Sequence, residues 1–268
     1  MKKARILINI VLIIALLFGS YKVISKVLDY KKADRVYDDI KKIKETREKQ
    51  FVSKVQSNNN YKVGNSEVDD NKEVKQNSPY NKTTLDLSDI NKDYRGWIDI
   101  DGTNIDYPVL QAKDNSYYLK KDINKNYLPS GSIFLDYRNN RFEDSNTVIY
   151  GHYMRNNTMF GELKKFKDKK FFDKNNKIYI ETPDGQKLEY KIFSVYTTDA
   201  NYNYIQTSFN SKSDYKQFLN KIKNKSLYNT NVEVSENDKI LTLSTCSYEF
   251  ENARTVIHAK LVNIKGSN

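Results

Sequence analysis

The sequence predicts a mostly β domain, an eight-stranded and closed or nearly closed barrel with helical insertions, preceded by an N-terminal transmembrane helix and a helical stem. Past residue 84 the chain consists mainly of short β-rich segments with few helical stretches, which is typical of a barrel. Before that point lie an uncharged apolar run and a charged segment with helical spacing. The length of 268 residues suits one such domain plus extensions.

The N-terminal apolar run is predicted to be a membrane anchor. Three positive charges among the first five residues are followed by residues 6–21 without any charge. Extension to Ile24 brings the run near the ~20 residues that cross a bilayer, since Lys22 can reach the headgroups. The main alternative is a cleaved signal peptide, but a small-x-small cleavage site is missing. We therefore assign residues 1–24 to an uncleaved signal-anchor whose basic N-terminus places the remaining chain outside the cell.

The positive charge of the chain is concentrated at its N-terminus, which argues against a nucleic-acid partner. Residues 1–56 hold 14 Lys and Arg against 6 Asp and Glu, whereas the other 212 residues hold 31 against 28. A nucleic-acid-binding protein needs a basic face on its folded domain. The balanced charge past residue 56 therefore predicts no nucleic-acid binding.

Residues 25–55 are predicted to form a membrane-proximal helical stem. Apolar residues recur there at three- and four-residue spacing among many charges. Because this stripe is narrow, a stalk, a weak helix–helix contact and a solvated helix all suit it. Residues 56–83 are polar, which predicts a flexible linker before the domain of residues 84–268. The stripe comprises Ala33, Val36, Tyr37, Ile40 and Ile43.

Eight segments of the domain are predicted strands and three are predicted helices. The alternating segment 97–100, the Asp101-Gly102 turn and the strand that follows indicate a first hairpin. The predicted strands are 97–100, 105–110, 132–136, 146–150, 177–181, 187–197, 240–245 and 255–264, and the predicted helices are 85–94, 159–166 and 213–223.

The single cysteine, Cys246, ends a strongly apolar strand. It is either a small packed hydrophobe or a nucleophile at the rim of the sheet. A lone thiol outside the cell is an oxidation liability without a disulfide in return, which favours the nucleophile. Arg254 follows after a short loop, so the two strands should form an antiparallel hairpin with both residues at one end. A guanidinium there can stabilise a developing oxyanion.

Two histidines could carry the proton that a cysteine nucleophile needs for its leaving group. His152 follows an apolar strand and a glycine, so it also lies where a strand enters a loop. His258 lies inside the last strand between two apolar residues, where a structural role is favoured. The sequence therefore predicts Cys246, His152 and Arg254 as the reactive set.

Together these segments resemble the sortases, and specifically class B. Thr242-Leu-Ser-Thr-Cys246 matches the sortase signature around the nucleophile, with Arg254 at the expected short distance. Tyr150-Gly-His152-Tyr-Met154 resembles the class B histidine segment. Further matches, in the same order along residues 85–264, are Gly96-Trp-Ile98, Ile105-Asp-Tyr-Pro-Val109, Asp114-Asn-Ser-Tyr-Tyr-Leu119 and Gly131-Ser-Ile-Phe-Leu-Asp136.

The resemblance implies a sortase barrel and a cysteine transpeptidase on the outer face of a Gram-positive membrane. Its partners would be secreted proteins with a C-terminal sorting signal and the amine of a lipid-linked peptidoglycan precursor. Cys246 would attack the carbonyl of the signal's threonine to form a thioester, His152 would move the protons, and Arg254 would stabilise the oxyanion. The calcium site of class A enzymes has no recognisable equivalent, so neither a metal nor a cofactor is predicted.

Substrate-binding positions also follow from the resemblance. The residue after the cysteine, Ser247, departs from the acidic side chain that some class B members carry, so no role of that carboxylate is carried over. The positions that match class B groove residues are Asn115, Leu119, Tyr150, Tyr204, Ile205 and Ser244.

Two alternatives stay open at the level of the sequence. A hydrolytic cysteine protease would use the same site with water as the acceptor. A membrane-tethered β-barrel binding module would have a packed, inert cysteine and no catalysis.

Overall fold

The structure, a computed structural model, describes residues 2–59 and 86–266. Within them the strands are β1 (Tyr94–Ile100), β2 (Asp106–Leu110), β3 (Ile133–Leu135), β4 (Asn146–Tyr150), β5 (Lys177–Glu181), β6 (Lys187–Asp199), β7 (Ile240–Cys246) and β8 (Ala253–Lys265). The α-helices are α1 (Lys2–Asn59), α2 (Lys169–Lys174) and α3 (Lys212–Asn224), and 3-10 helices span Tyr117–Lys120 and Gly161–Lys167.

The eight strands close into a barrel in the order β1-β2-β3-β4-β7-β8-β6-β5, with β5 paired back to β1. The pairs β2–β3 and β4–β7 are parallel, and the other six are antiparallel. The predicted barrel is confirmed, and every predicted strand is found with its ends displaced by at most three residues. The first hairpin, β1–β2, is also as predicted.

Alternation along the strands places the core inside the barrel. In β5, Ile178 and Ile180 are buried while their neighbours are half-buried, as expected for a strand with one face inward. Strand β4 is buried almost throughout, since its outer face is also covered. Each fully buried aliphatic or phenyl side chain contributes about 1.5–3 kcal/mol to folding. The inward-facing residues therefore explain why the barrel closes.

A second apolar cluster covers the outside of the barrel beneath α3. Phe218, Leu219 and Ile222 of α3 pack with Phe193 and Val256 of the barrel wall. The helix begins where the Ser211 hydroxyl accepts a hydrogen bond from the backbone N–H of Asp214 at 3.1 Å, a typical N-cap. The predicted helix 213–223 is confirmed.

The other two predicted helices need correction. Residue 85 lies outside the described residues, and 86–93 form turns rather than a helix. Asp86 accepts from the Ser88 N–H at 2.8 Å and Asn91 from the Asp93 N–H at 2.9 Å, and such local side-chain bonds compete with helix formation. The predicted helix 159–166 is the 3-10 helix Gly161–Lys167, followed by α2, which the pattern did not indicate.

The apolar stripe of the stem packs against the barrel. Ala33, Tyr37 and Ile40 are at most 4 % exposed. The Tyr37 hydroxyl donates to the Gly131 carbonyl at 2.6 Å and lies 3.0 Å from the Ser132 hydroxyl, so this buried polar group is satisfied. A wholly solvated helix is therefore wrong for this face, whose partner is the barrel itself.

Polar contacts extend the same interface. Arg47 forms a bidentate pair with Asp89 at 2.7 and 3.0 Å, and Lys44 lies 4.6 Å from the ring centroid of Trp97. Helix α1 is the one helix among the described residues that is long and apolar enough to cross a membrane, over Arg5–Gln50. Most of the predicted linker, residues 56–83, lies outside the described residues, and the described part, 56–59, continues α1.

Candidate active site

Parallel pairing of β4 and β7 brings His152 to the same rim as Cys246. Tyr150 is paired with Ser244, and the N–H of Gly151 donates to the Ser244 carbonyl at 3.3 Å. His152 therefore follows the end of β4 where Cys246 ends β7. A side chain at Gly151 would force Ile133 and Phe160 to shift, because its Cβ would lie 2.4 Å from Cδ1 of Ile133 and 2.8 Å from Cγ of Phe160.

Arg254 reaches this rim through the β7–β8 hairpin. It is the direct cross-strand partner of Cys246, and directly opposed side chains lie on the same face of a sheet. The guanidinium donates to the backbone carbonyls of Asn252 at 3.2 Å and Ala253 at 3.0 Å, which hold it at the start of β8. The predicted antiparallel hairpin is confirmed.

All nine residues that the sequence singled out line one cavity of about 320 Å³ at this rim. The Cys246 thiol is exposed, so the alternative of a packed, buried cysteine is wrong. The cavity is lined by Asn115, Leu119, Tyr150, His152, Tyr204, Ile205, Ser244, Cys246 and Arg254, together with Phe134, Gly151, Ala200 and Thr245.

The orientation of His152 is set by the main chain beside the groove. Its Nε2 lies 2.7 Å from the carbonyl oxygen of Leu119. A carbonyl only accepts, so Nε2 carries the proton of this bond and the lone pair of the neutral ring is on Nδ1. An imidazole, an exposed thiol and a guanidinium around one cavity can together perform acyl transfer.

Comparison with known proteins decides the family. Residues 98–262, more than half of the chain, match the family model described as sortase domain. The chain belongs to the sortase family. Its similarity is to class B: it is 46% identical over 180 residues to sortase B of Listeria monocytogenes and 41% identical over 181 residues to sortase B of Staphylococcus aureus, which covers 66% of this chain and 73% and 74% of those proteins.

Solved structures agree with this assignment. The X-ray structure of Clostridium perfringens sortase B superposes with a TM-score of 0.64 at 46% identity, covering 66% of this chain and 98% of that one. Bacillus anthracis sortase B in complex with AAEK1 gives a TM-score of 0.69 at 37% identity, covering 88% and 99%. The chain is thus a class B sortase and a cysteine transpeptidase, and the alternative of a non-catalytic binding module is wrong.

One buried carboxylate, that of Asp136, accepts hydrogen bonds from residues of the groove wall. Asp136 has no exposed surface, and it accepts hydrogen bonds from Tyr150 Oη at 2.8 Å and Asn115 Nδ2 at 3.0 Å. Arg138 pairs with both of its oxygens, at 2.8 and 2.7 Å. Burial alone would raise the pKa of Asp136, but the Arg138 and Tyr150 hydrogen bonds outweigh it and hold that pKa below its usual value.

The hydrogen bonds around Asp136 continue through Arg138 to Ile205, another residue that lines the cavity. Arg138 Nη2 also donates to the backbone carbonyl of Ile205 at 3.0 Å. The Tyr204 hydroxyl lies 2.9 Å from the Ser244 hydroxyl, and burial raises the pKa of Tyr204. All six predicted groove residues are therefore held by side-chain or backbone hydrogen bonds around the cavity, Leu119 through its carbonyl, which accepts from His152.

Three residues of the site were missed from the sequence. Asp136 and Arg138 support the wall from behind, and the signal that could have found them is a charged pair directly after the buried β3 strand. Thr245 lines the cavity next to the nucleophile position, is 3 % exposed, and has no hydrogen-bond partner for its hydroxyl within the described chain. No local pattern distinguishes it from other strand threonines.

The loop after Cys246 is fixed by a charged network. Glu249 pairs with Lys167 of the 3-10 helix and accepts from the hydroxyl of Ser247. Thr255 of β8 donates to the same hydroxyl at 3.1 Å. Burial would raise the pKa of Glu249, but the hydrogen bonds that it accepts from Lys167 and Ser247 lower that pKa to about 2. The departure at Ser247 thus places a hydroxyl rather than a carboxylate next to the cysteine.

His258 belongs to the interior, as expected. It is fully buried, with Nε2 2.8 Å from the Tyr196 hydroxyl and Nδ1 2.8 Å from the Thr242 hydroxyl. Thr242 gives its own proton to Oδ1 of Asn146 at 2.7 Å, so Nδ1 of His258 is the donor to Thr242. Burial lowers the pKa of His258 to about 3 and keeps the ring neutral. Among the described residues no group of three or more His, Cys, Asp or Glu could hold a metal ion.

Proposed function

We propose that this sortase is a membrane-anchored enzyme that cleaves a C-terminal sorting signal after threonine and transfers the protein to the amine of a cell-wall precursor. The observation that carries the proposal is the meeting of an exposed Cys246 with His152 and Arg254 around one cavity. A thiol nucleophile, a proton carrier and an oxyanion donor are what an acyl transfer through a thioester requires.

The first half-reaction is acylation. Cys246 gives its proton to Nδ1 of His152 as its Sγ attacks the threonine carbonyl carbon, and the oxygen gains the negative charge that Arg254 stabilises. As the tetrahedral intermediate collapses, the C–N bond breaks and the leaving nitrogen takes a proton from His152. The proton that the thiol gave up thus ends on the departing amine, and a thioester remains on Cys246.

The second half-reaction reverses these roles. The amine of the precursor attacks the thioester carbonyl, His152 takes the proton of the attacking nitrogen, and Arg254 again stabilises the oxyanion. The C–S bond then breaks and Cys246 is restored with its proton. A water molecule in place of the amine would give a hydrolase, so the nature of the acceptor distinguishes transfer from proteolysis.

The sorting signal is proposed to lie against the wall formed by Asn115, Leu119, Tyr150, Tyr204, Ile205 and Ser244. All six line the cavity that also contains Cys246. Phenol and aliphatic side chains there suit an extended peptide with an apolar residue, and the Asp136 network keeps the wall in place. Support also comes from Staphylococcus aureus sortase B, a relative whose structure is solved as a substrate complex.

The membrane anchor is proposed to be residues 1–24, with the stem, linker and catalytic domain over 25–55, 56–83 and 84–268 on the outer face of a Gram-positive membrane. The apolar window of α1 has a mean hydropathy of 2.3 and is not buried by the rest of the protein. Lys2, Lys3 and Arg5 before it favour an N-terminus in the cytoplasm. The partners are then secreted proteins that carry a sorting signal and a lipid-linked peptidoglycan precursor.

The test compares Cys246→Ala with Lys239→Ala in cleavage of a fluorogenic sorting-signal peptide. Lys239 is exposed just before β7, at the opposite end of the strand from Cys246, so it controls for the strand itself. We expect cleavage to vanish in Cys246→Ala and to persist in the control, with triglycine ligated to the cleaved peptide by the wild type. Retained cleavage in Cys246→Ala would overturn the proposal, and cleavage without ligation would identify a hydrolase.

A further inference from the structure

A second cavity, of about 380 Å³, is lined in part by residues that neighbour His152 and Cys246 in the chain. Tyr153 and Arg155, which closely follow His152, line it, and so does Tyr248, two residues after Cys246. The rings of Tyr153 and Tyr248 contact each other edge to face, with centroids 5.1 Å apart and planes at 78°. The first cavity holds the predicted groove residues, whereas this one holds none of them. The reactive rim therefore adjoins two separate cavities.

One side of the second cavity is lined by α1, close to the membrane end of that helix. Lys26 and Asp29 of α1 line it. At 1.5 Å per residue, Lys26 lies only about 3 Å along the helix axis beyond Ile24, where the proposed anchor ends. A group bound there would sit at the level of lipid headgroups.

The charge of the cavity suits an anion. Lys26 and Arg155 are cationic, and Asp29 is the single carboxylate among the lining residues. Lys164 adds positive charge at the edge, since its amine lies 3.3 Å from the Tyr153 hydroxyl and 5.4 Å from that ring's centroid. Arginine and lysine form charge-assisted hydrogen bonds with phosphate oxygens.

An independent observation comes from Ser130. This residue lines the cavity and is 3 % exposed, yet its hydroxyl has no hydrogen-bond partner among the described residues. Buried hydroxyls are nearly always paired, so an unpaired one beside a cavity indicates a ligand that completes it.

We propose that this cavity is the acceptor site and binds the diphosphate of the lipid-linked precursor, so that the amine enters the reactive rim opposite the sorting signal. The inference rests on the proposed function and adds the site and charge of its second substrate. Lys26 and Arg155 bind the phosphates, the Ser130 hydroxyl donates to a phosphate oxygen, and Tyr153 and Tyr248 form the wall toward Cys246.

The experiment uses the full chain in phosphatidylcholine nanodiscs with a sorting-signal peptide and two acceptors, a lipid-linked precursor with a free amine and soluble triglycine. The readout is the KM for the lipid-linked precursor divided by the KM for triglycine. We expect Lys26→Gln/Arg155→Gln to raise this ratio about tenfold, since it removes two charge-assisted contacts that triglycine does not make. The controls Lys49→Gln, exposed on the same helix far from the membrane end, and Lys170→Gln, exposed on α2, should leave the ratio unchanged.

Ser130→Ala is a second variant that tests the same site. Because the hydroxyl has no partner among the described residues, its removal should not lower the melting temperature, but it should raise the KM ratio. An unchanged ratio in both the double variant and Ser130→Ala would overturn the proposal. An equal rise of the KM for both acceptors would overturn it as well. So would inhibition of the wild type by phosphatidylglycerol nanodiscs together with an unchanged KM ratio in the variants, because bulk lipid would then be the ligand.

Thioester formation, followed by intact mass before any acceptor is added, separates this proposal from the proposed function. A wild type that never forms the adduct refutes the function itself, whereas a normal adduct with an unchanged ratio refutes only the acceptor site.

Discussion

Cys246 and Arg254 are directly opposed across the β7–β8 ladder, the last pair before the connecting loop. The guanidinium is held by the backbone carbonyls of Asn252, in that loop, and of Ala253, the first residue of β8, so it is in position before substrate arrives. Preorganised donors stabilise a developing oxyanion without the cost of ordering during the reaction. This pairing thus connects the hairpin geometry to the chemistry proposed for the site.

Replacement of Arg254 should slow turnover strongly without disturbing the nucleophile. We expect Arg254→Ala to lower kcat/KM for the sorting peptide by about 10²- to 10³-fold, the usual cost of one oxyanion donor. Labelling of Cys246 by a small thiol reagent should persist in the native state. Steady-state kinetics beside the Lys239→Ala control checks this, and wild-type kcat/KM in Arg254→Ala would refute the oxyanion role.

Asp136 is predicted to be a positioning residue for the groove wall. In Asp136→Asn the new amide NH₂ would face donors from Arg138 and Tyr150, so hydrogen bonds are lost and the free energy of unfolding should fall by about 2 kcal/mol. Because Tyr150 and Asn115 also lose their anchor, the KM for the peptide should rise several-fold more than kcat falls.

Asp144→Asn is the matched control, since Asp144 accepts hydrogen bonds from Asn139 and Asn140 but does not line the cavity. Equal destabilisation of the two variants with an unchanged peptide KM in Asp136→Asn would limit Asp136 to a structural role.

His258 should make the protein less stable as the pH falls below neutrality. Its pKa is lowered to about 3 in the folded protein, whereas in the unfolded chain it lies near 6.5. Below pH 6.5 only the unfolded chain binds the proton, so this residue lowers the free energy of unfolding by about 1 to 2 kcal/mol between pH 7 and pH 5.

Urea titrations at the two pH values measure the effect. His258→Asn should lose this part of the pH dependence, and His152→Ala, which removes the other histidine, should retain it. An identical pH dependence in His258→Asn and the wild type would contradict the buried neutral ring.

The docking of the stem predicts that α1 stabilises the barrel. Tyr37→Phe removes the hydroxyl that bonds the Gly131 carbonyl, leaving a buried acceptor unpaired, so the free energy of unfolding should fall by about 1 to 2 kcal/mol. The fluorescence of Trp97, the single tryptophan, reports unfolding in urea. Tyr21→Phe, exposed on the same helix, should leave the free energy of unfolding unchanged. Urea transitions of Tyr37→Phe and Tyr21→Phe at the same midpoint would argue against the docked stem.

Local patterns were sufficient for the strands and for part of the site. Alternation such as Lys177-Ile-Tyr-Ile-Glu181 identifies a strand from its own residues, and the short connection from Cys246 to Arg254 permits only a hairpin. The predictions of β5 and of the β7–β8 pairing were correct because the information lies within a few residues.

Long-range relationships were not available from such patterns. The parallel pairing of Tyr150 with Ser244 joins segments far apart in the chain. The place of His152 after a strand indicated its role, but no local pattern indicated this pairing with the strand of Cys246. Likewise, the narrow stripe around Tyr37 has the same spacing whether it faces water or a barrel. The helix predicted over 85–94 was wrong because side-chain bonds from Asp86 and Asn91 stabilise turns instead.

The most direct test of the central claim, that Cys246 forms the covalent intermediate at this rim, is intact-mass spectrometry of the enzyme mixed with a sorting-signal peptide and no acceptor amine. The account predicts an adduct equal to the peptide up to and including its threonine, attached to Cys246 and released by hydroxylamine. Steady cleavage of the peptide with no adduct in rapidly quenched samples, or the same adduct in Cys246→Ala, would contradict it.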